Sequence, residues 1–261
     1  MNTARLNSAI SEFMKNRKTR PDYYNNNWDE RKSQKEFYQA FTSEKLLDMT
    51  EDEFLGYISK LWSMIIWGNK QYVVDKLIAD NGFDNLKKQL VELLYGNAPI
   101  EKRWDSFLKT VKGFGPATIS ELLTYVNPEE YVIFNRTTIL CFTYLDIPGM
   151  PKYNYQYTGK KYVEVCAIAK KIAAVLREGG IETIDLLTVD YFLWDEVLPL
   201  AEKSPSDKKT QVAPVREKMV TMKESKSLHE EIKEKLIAIG ELLDFESRAE
   251  VPPIKQSREF E

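Results

Sequence analysis

Apolar positions recur at intervals of three and four along most of this chain, which is the period of an amphipathic helix, and strict strand-like alternation is scarce. Residues 1–20 place Leu6, Ile10, Phe13 and Met14 on one side and end in a basic stretch, 15–20. They predict a first helix whose basic end is a candidate phosphate contact. Pro21-Asp22-Tyr23-Tyr24-Asn25-Asn26-Asn27 is rich in turn formers and predicts a loop, with a polar helix over 28–41 to follow. Tyr23, Tyr24 and Trp28 either anchor that loop to the core or stack on bases. Thr50 and Glu53 stand at capping-box spacing ahead of a stripe of Phe54, Ile58, Leu61, Met64 and Ile65, with Gly68-Asn69 as the stop. Adding Trp62 and Trp67 makes this helix apolar nearly all round, so it is expected at the centre of the domain.

Two further helices, over 72–80 and 84–95 and divided by Asn81-Gly82, turn Val73, Leu77, Leu86, Leu90 and Leu94 inward. The most informative stretch is 99–145. Trp104, Phe107, Leu108 and Val111 recur at helical spacing behind Pro99, and Lys112-Gly113-Phe114-Gly115-Pro116 follows as a glycine-framed turn. Pro116 then opens a second helix with Ile119, Leu122, Leu123 and Val126 as its stripe. Gly113 and Gly115 permit positive φ and carry no Cβ, and the first amides of the second helix have no intrahelical partner, which makes an anion site. Such amides read no base, so a nucleic-acid backbone is the expected ligand. A tight αα-hairpin with no ligand fits the isolated turn equally. The patch Tyr131-Val132-Ile133-Phe134 is a link, and Asn135 is placed to cap a helix over Arg136–Tyr144, with Thr138 at the third position.

Beyond Ile147-Pro148-Gly149-Met150-Pro151, the residues Tyr153, Tyr155, Tyr157, Lys160, Lys161 and Tyr162 interleave rings with ammonium groups in a segment expected to be irregular. That pattern suits a nucleic-acid surface, or else a solvated loop with its tyrosines tucked onto the domain. A helix over 163–177 closes at Gly179-Gly180, and Ile184, Leu187, Phe192, Leu193, Trp194, Val197 and Leu198 extend the core to about Leu200. The composition then shifts to a linker at 201–215. An amphipathic helix at 216–250 follows, capped by Ser227, with Leu228, Ile232, Leu236, Ile239 and Leu243 needing a partner. The tail, 251–261, is expected to be disordered. The fold class is therefore all-α: a multi-helix bundle over 1–200 containing a helix-hairpin-helix, plus a linker and a C-terminal helix.

Composition narrows the function classes. With 43% hydrophobic and 30% charged residues among 261, the chain is expected to fold as a soluble protein. A formal net charge of −3 leaves any DNA contact to a local basic surface. Two cysteines, Cys141 and Cys166, lie in apolar runs and are expected to be buried thiols. A single histidine, His229, excludes a His-rich metal site. No run is apolar for the roughly 18 residues of a membrane span, and the first residues lack the apolar core of a secretory signal, so no membrane partner and a cytoplasmic location are expected.

The succession of hydrophobic helix, Gly113-Phe114-Gly115-Pro116-Ala117, helix, extended link and new helix resembles the helix-hairpin-helix DNA glycosylase superfamily. The resemblance implies DNA contact by Lys109, Lys112, Gly113, Phe114, Gly115, Ala117, Thr118, Asn135 and Arg136, to which the interleaved segment adds Lys160 and Lys161 as expected contacts. It brings no cofactor beyond a monovalent cation on hairpin carbonyls. In that superfamily the link ends in a catalytic Asp and some members carry a Lys at the start of the second hairpin helix; the matching positions are Asn135 and Ala117. An amide is no carboxylate base and alanine forms no Schiff base, so the hairpin is expected to bind without glycosylase chemistry. The alternatives are a glycosylase using Glu129, Glu130 or Asp146, and a scaffold that dimerises through the C-terminal helix. Leu61-Trp62-Ser63-Met64-Ile65-Ile66-Trp67-Gly68-Asn69-Lys70, Leu93-Leu94-Tyr95-Gly96 and Ser120-Glu121-Leu122-Leu123 also resemble an amino-terminal module of prokaryotic restriction proteins. That likeness implies a restriction or repair context and a downstream domain as partner.

Overall fold

The computed structural model describes residues 1–181 and 184–203, and every regular element among them is helical. The helices are α1 (Thr3–Thr19), α2 (Pro21–Gln39), α3 (Ser43–Asp48), α4 (Glu51–Ser59), α5 (Lys70–Asn81), α6 (Phe83–Tyr95), α7 (Ile100–Thr110), α8 (Pro116–Val126), α9 (Arg136–Tyr144), α10 (Gly159–Glu178), α11 (Leu186–Phe192) and α12 (Leu198–Lys203). None is long and apolar enough to cross a membrane. The expected segments beyond 203, including most of the linker, the helix at 216–250, His229 and the tail, lie outside the described residues.

The bundle is organised around α8. Ile119, Ser120, Glu121, Leu122, Leu123, Thr124 and Tyr125 are consecutive and all buried, so α8 is enclosed on every face. α2 packs along it, and Tyr38 lies flat on Tyr125 with ring centroids 4.9 Å apart. Two of its buried polar side chains are satisfied locally: Thr124 Oγ1 donates to the Ser120 carbonyl at 2.7 Å, and the Ser120 hydroxyl donates to the Ala117 carbonyl at 3.0 Å. α6 and α10 flank α7, where Trp104 is fully buried and stacks on Tyr162 at 4.1 Å. Fully burying one such ring is worth roughly 1.5–3 kcal/mol by area.

Three expected elements are revised. The loop over 21–27 is the first turns of α2: Pro21 occupies a first-turn position, where its missing N–H costs nothing. Tyr24 is buried there and its hydroxyl donates to Glu196, and Trp28 stacks on Tyr191, so these two rings serve the core, while Tyr23 is exposed and donates to Asp195 at 2.9 Å. Asn25, Asn26 and Asn27 had mimicked a turn by composition. The apolar helix running to Gly68 ends instead at Ser59, because Leu61 is extended (ψ 138°) and the Glu121 carboxylate takes the amides of Trp62 (2.6 Å) and Ser63 (2.9 Å). A 3₁₀ turn, Trp62–Met64, replaces it, and Ile66 and Trp67 are exposed, so this segment is not the centre of the domain. Finally, α10 starts at Gly159 rather than 163: Thr158 caps it, and Gly159 lies so close to the Glu101 backbone that a Cβ there would collide.

Other expectations hold. The Thr50–Glu53 capping box is complete, Leu6, Ile10 and Phe13 are buried, and both cysteines are free and buried, with burial pushing the Cys166 thiol up to about 11.

Candidate nucleic-acid interface

The hairpin has the expected outline. α7 ends at Thr110, Val111 is extended, and α8 begins at Pro116 behind Gly115. Gly113 has φ +89°, the left-handed region where a side chain is strained, and a Cβ there would lie 2.6 Å from Leu77 Cδ2 on α5. Gly115 is different: its φ is −104° and a Cβ would meet nothing within 4 Å, so the expected need for positive φ applies to Gly113 alone. Phe114 is buried and meets Phe107 edge-on at 5.7 Å. Its ring is a core anchor, which leaves only its backbone on the hairpin's outer side.

Asn81, the last residue of α5, clamps the turn. Its side-chain oxygen accepts the Lys112 amide at 2.8 Å, and its side-chain nitrogen donates to the Lys112 carbonyl at 3.0 Å. The Lys112 carbonyl, one of those of the hairpin, is thereby engaged by a protein donor. Beyond the clamp, Ile119 makes the first amide-to-carbonyl bond of α8, to Gly115, and Gly115 has no side chain to cap the amides of Ala117 and Thr118. Both residues are half-buried, and their amides make no printed backbone bond at the start of the helix.

The start of α9 is tied to the same place. The Ser120 hydroxyl that donates to Ala117 accepts the Phe134 amide at 2.8 Å, so the link preceding α9 is bonded to the first turn of α8. Asn135 caps α9 by accepting the Thr138 amide at 3.1 Å, and Thr138 Oγ1 donates to the Ile133 carbonyl at 2.5 Å. Arg136 is exposed at the first position of α9. Lys109 and Lys112 are exposed on the hairpin side, and none of these three cations pairs with a carboxylate among the described residues. The starts of α8 and α9, with their partial positive charge, are thus linked through Ser120, and Arg136 opens α9 while Lys112 lies in the turn before α8.

Lys160 and Lys161 belong to a separate place, the first turn of α10. Lys160 is exposed, whereas Lys161 is half-buried and paired with Glu164. The carboxylates of the glycosylase alternative lie on the surface: Asp146 is held by Asn2 (2.8 Å) and Arg5 (3.2 Å), Glu130 pairs with Lys170 (2.5 Å), and Glu129 is exposed.

A second charged group escaped the sequence. Arg31 is buried between Trp62 (4.8 Å) and Tyr191 (4.4 Å) and pairs with Asp190 at 3.9 Å. Burial pushes the Asp190 carboxyl up to about 6 against the pull of Arg31, and burial pushes Glu121 up to about 7 against its two amide donors. Asp195 and Glu196, in the π-helical turn Leu193–Val197, complete the group. The signal in the sequence was Glu121 itself, a carboxylate set between Ile119 and Leu122 on an apolar stripe. Comparison with known families, curated proteins and solved structures returned no match for this chain.

Proposed function

We propose that this chain binds DNA through its phosphate backbone at the helix-hairpin-helix, in a restriction, defence or repair setting, without base-excision chemistry at the hairpin. The observation that carries this is the convergence on Ser120: one hydroxyl bonds the start of α8, which bears Ala117 and Thr118, to the link before α9, which opens on the exposed Arg136, while Lys109 and Lys112 are exposed on the helix and turn that lead into α8. Backbone amides at helix N-termini and unpaired cations are the donors that phosphates take, whatever the sequence. Local charge supports binding even though the chain as a whole is acidic. The two residues on which glycosylase chemistry depends in the resembling superfamily are an amide and an alanine here, at Asn135 and Ala117. Asn135 is, moreover, occupied as a helix cap.

The test is fluorescence anisotropy of a labelled duplex with the full chain at low salt. Binding independent of sequence is expected, and it should weaken in a Lys112→Ala/Arg136→Ala double variant that melts like the parent. No binding at low salt, or equal binding by the double variant, would sink the proposal.

A further inference from the structure

The most exposed aromatic pair among the described residues stands apart from the hairpin. Tyr153 and Tyr155 are 61% and 76% exposed, and their rings lie parallel, 6° apart in plane with centroids 5.7 Å apart. By contrast, Tyr162 is fully buried and Tyr157 is half-buried against Phe134. The pair is not a loose loop. Gln156 Oε1 accepts the amides of Lys152 (2.7 Å) and Tyr153 (3.0 Å), which closes the 3₁₀ turn Asn154–Gln156. That turn is bolted to α7: the Trp104 indole donates to the Tyr157 carbonyl at 2.9 Å, and the Gly159 amide donates to Asp105 at 2.7 Å.

The anchor sets direction and reach. Asp105 and Lys109 are one helical turn apart on the same face of α7, a rise of roughly 6 Å, and Lys112 of the hairpin follows three residues later. Lys152 and Lys160 are exposed on either side of the tyrosines. Asp105 is engaged by Gly159, and Glu164 by Lys161. The parallel rings thus sit on a turn anchored to the same helix that leads into the hairpin, with exposed lysines on either side of them along the chain. Every nucleobase has a π-face that such rings accept, and its phosphates suit the lysines.

We propose that Tyr153 and Tyr155 form a stacking platform for unpaired nucleobases, so that the chain prefers DNA in which a duplex adjoins a short single-stranded tail. This rests on the hairpin binding the backbone. Anisotropy with the full chain and two probes, a short blunt duplex and the same duplex with an unpaired tail of about four nucleotides, tests it. The tailed probe should bind more tightly than the blunt one. Tyr153→Ala/Tyr155→Ala should abolish that gain, by about tenfold, while blunt-duplex binding and the melting temperature stay unchanged. Tyr153→Phe/Tyr155→Phe should keep the gain, because the ring face acts and not the hydroxyl. A tail that adds nothing while the duplex still binds would overturn the platform alone, as would a gain that survives the alanine pair. A tyrosine-dependent gain with blunt-duplex binding indifferent to Lys112→Ala/Arg136→Ala would support the platform and remove the hairpin from the account. Failure to bind either probe would overturn both.

Discussion

Asn81 and Lys112 exchange two hydrogen bonds, the side-chain amide of one closing on the backbone amide and carbonyl of the other across thirty-one positions of chain. The pair fixes the hairpin to the end of α5, so the turn is held from outside as well as by its own glycine. Asn81→Ala removes both bonds. The freed Lys112 groups are at an exposed position and regain water, so the loss is expected to be about 1–2 kcal/mol rather than the full cost of burying unpaired groups. Urea unfolding checks the stability, and weaker duplex binding at unchanged helix content is the expected companion. An Asn81→Ala chain as stable as the parent would show the clamp to be incidental.

The two glycines of the turn should respond differently to the same change. Gly113→Ala places a side chain at φ +89° and drives it into Leu77, for an expected loss of about 1–3 kcal/mol. Gly115→Ala meets open space at φ −104°. Alanine is a poorer N-cap than glycine but narrows the unfolded ensemble, so the net change is expected within about 1 kcal/mol of zero. Thermal unfolding of the two variants side by side decides it, and equal losses would contradict the assigned backbone geometry.

Glu121 should make stability depend on pH. Its folded pKa is raised from 4.5 to about 7, chiefly by burial, so the folded chain keeps a proton that the unfolded chain gives up. Between those values the native state binds more protons, and stability must fall as pH rises. The contribution is whole below about pH 4.5 and lost by about pH 7, on the order of 3 kcal/mol. Asp190, raised from 3.8 to about 6, acts in the same direction over a lower window. Glu121→Gln should lose stability at pH 5, since its amide oxygen can accept from only one of the Trp62 and Ser63 amides and its nitrogen cannot accept from the other, and should unfold with a flatter pH profile. Denaturation curves at pH 5 and pH 8 for both chains are the check, and parallel pH profiles would remove Glu121 as the titrating group.

Local signals made much of this fold legible. Period-3.6 stripes identified the all-α class, and Thr50, Pro116 and Asn135 marked helix starts through chemistry confined to a few residues. What escaped depends on contacts distant in the chain. The helix over 51–68 reads as one because its stripe is unbroken; it breaks because a carboxylate nearly sixty residues later takes two of its amides. The run of three asparagines in α2 looks like a turn, yet Tyr24 and Arg31 on the same helix supply buried contacts that outweigh the local preference. In the candidate interface, the turn itself was readable, whereas its clamp by Asn81 was hidden, because the Asn81-Gly82 pair also serves as an ordinary helix stop.

Salt dependence separates the basic residues by their partners. Each phosphate contact made by a free cation releases counterions, so removing one should reduce the slope of log affinity against log salt by about 1. Lys109, Lys112 and Arg136 are exposed and unpaired among the described residues, so each alanine variant should lower the slope of duplex binding by about that amount. Lys161 is engaged by Glu164, and its removal frees a carboxylate as well as deleting a cation. Lys161→Ala should therefore weaken binding at low salt through the added negative charge, with less change in slope than Lys112→Ala. Fluorescence titrations across a salt series give the four slopes directly. A Lys161→Ala slope change as large as that of Lys112→Ala would place phosphate at the start of α10, and flat responses at Lys109, Lys112 and Arg136 would move the backbone contact away from the hairpin.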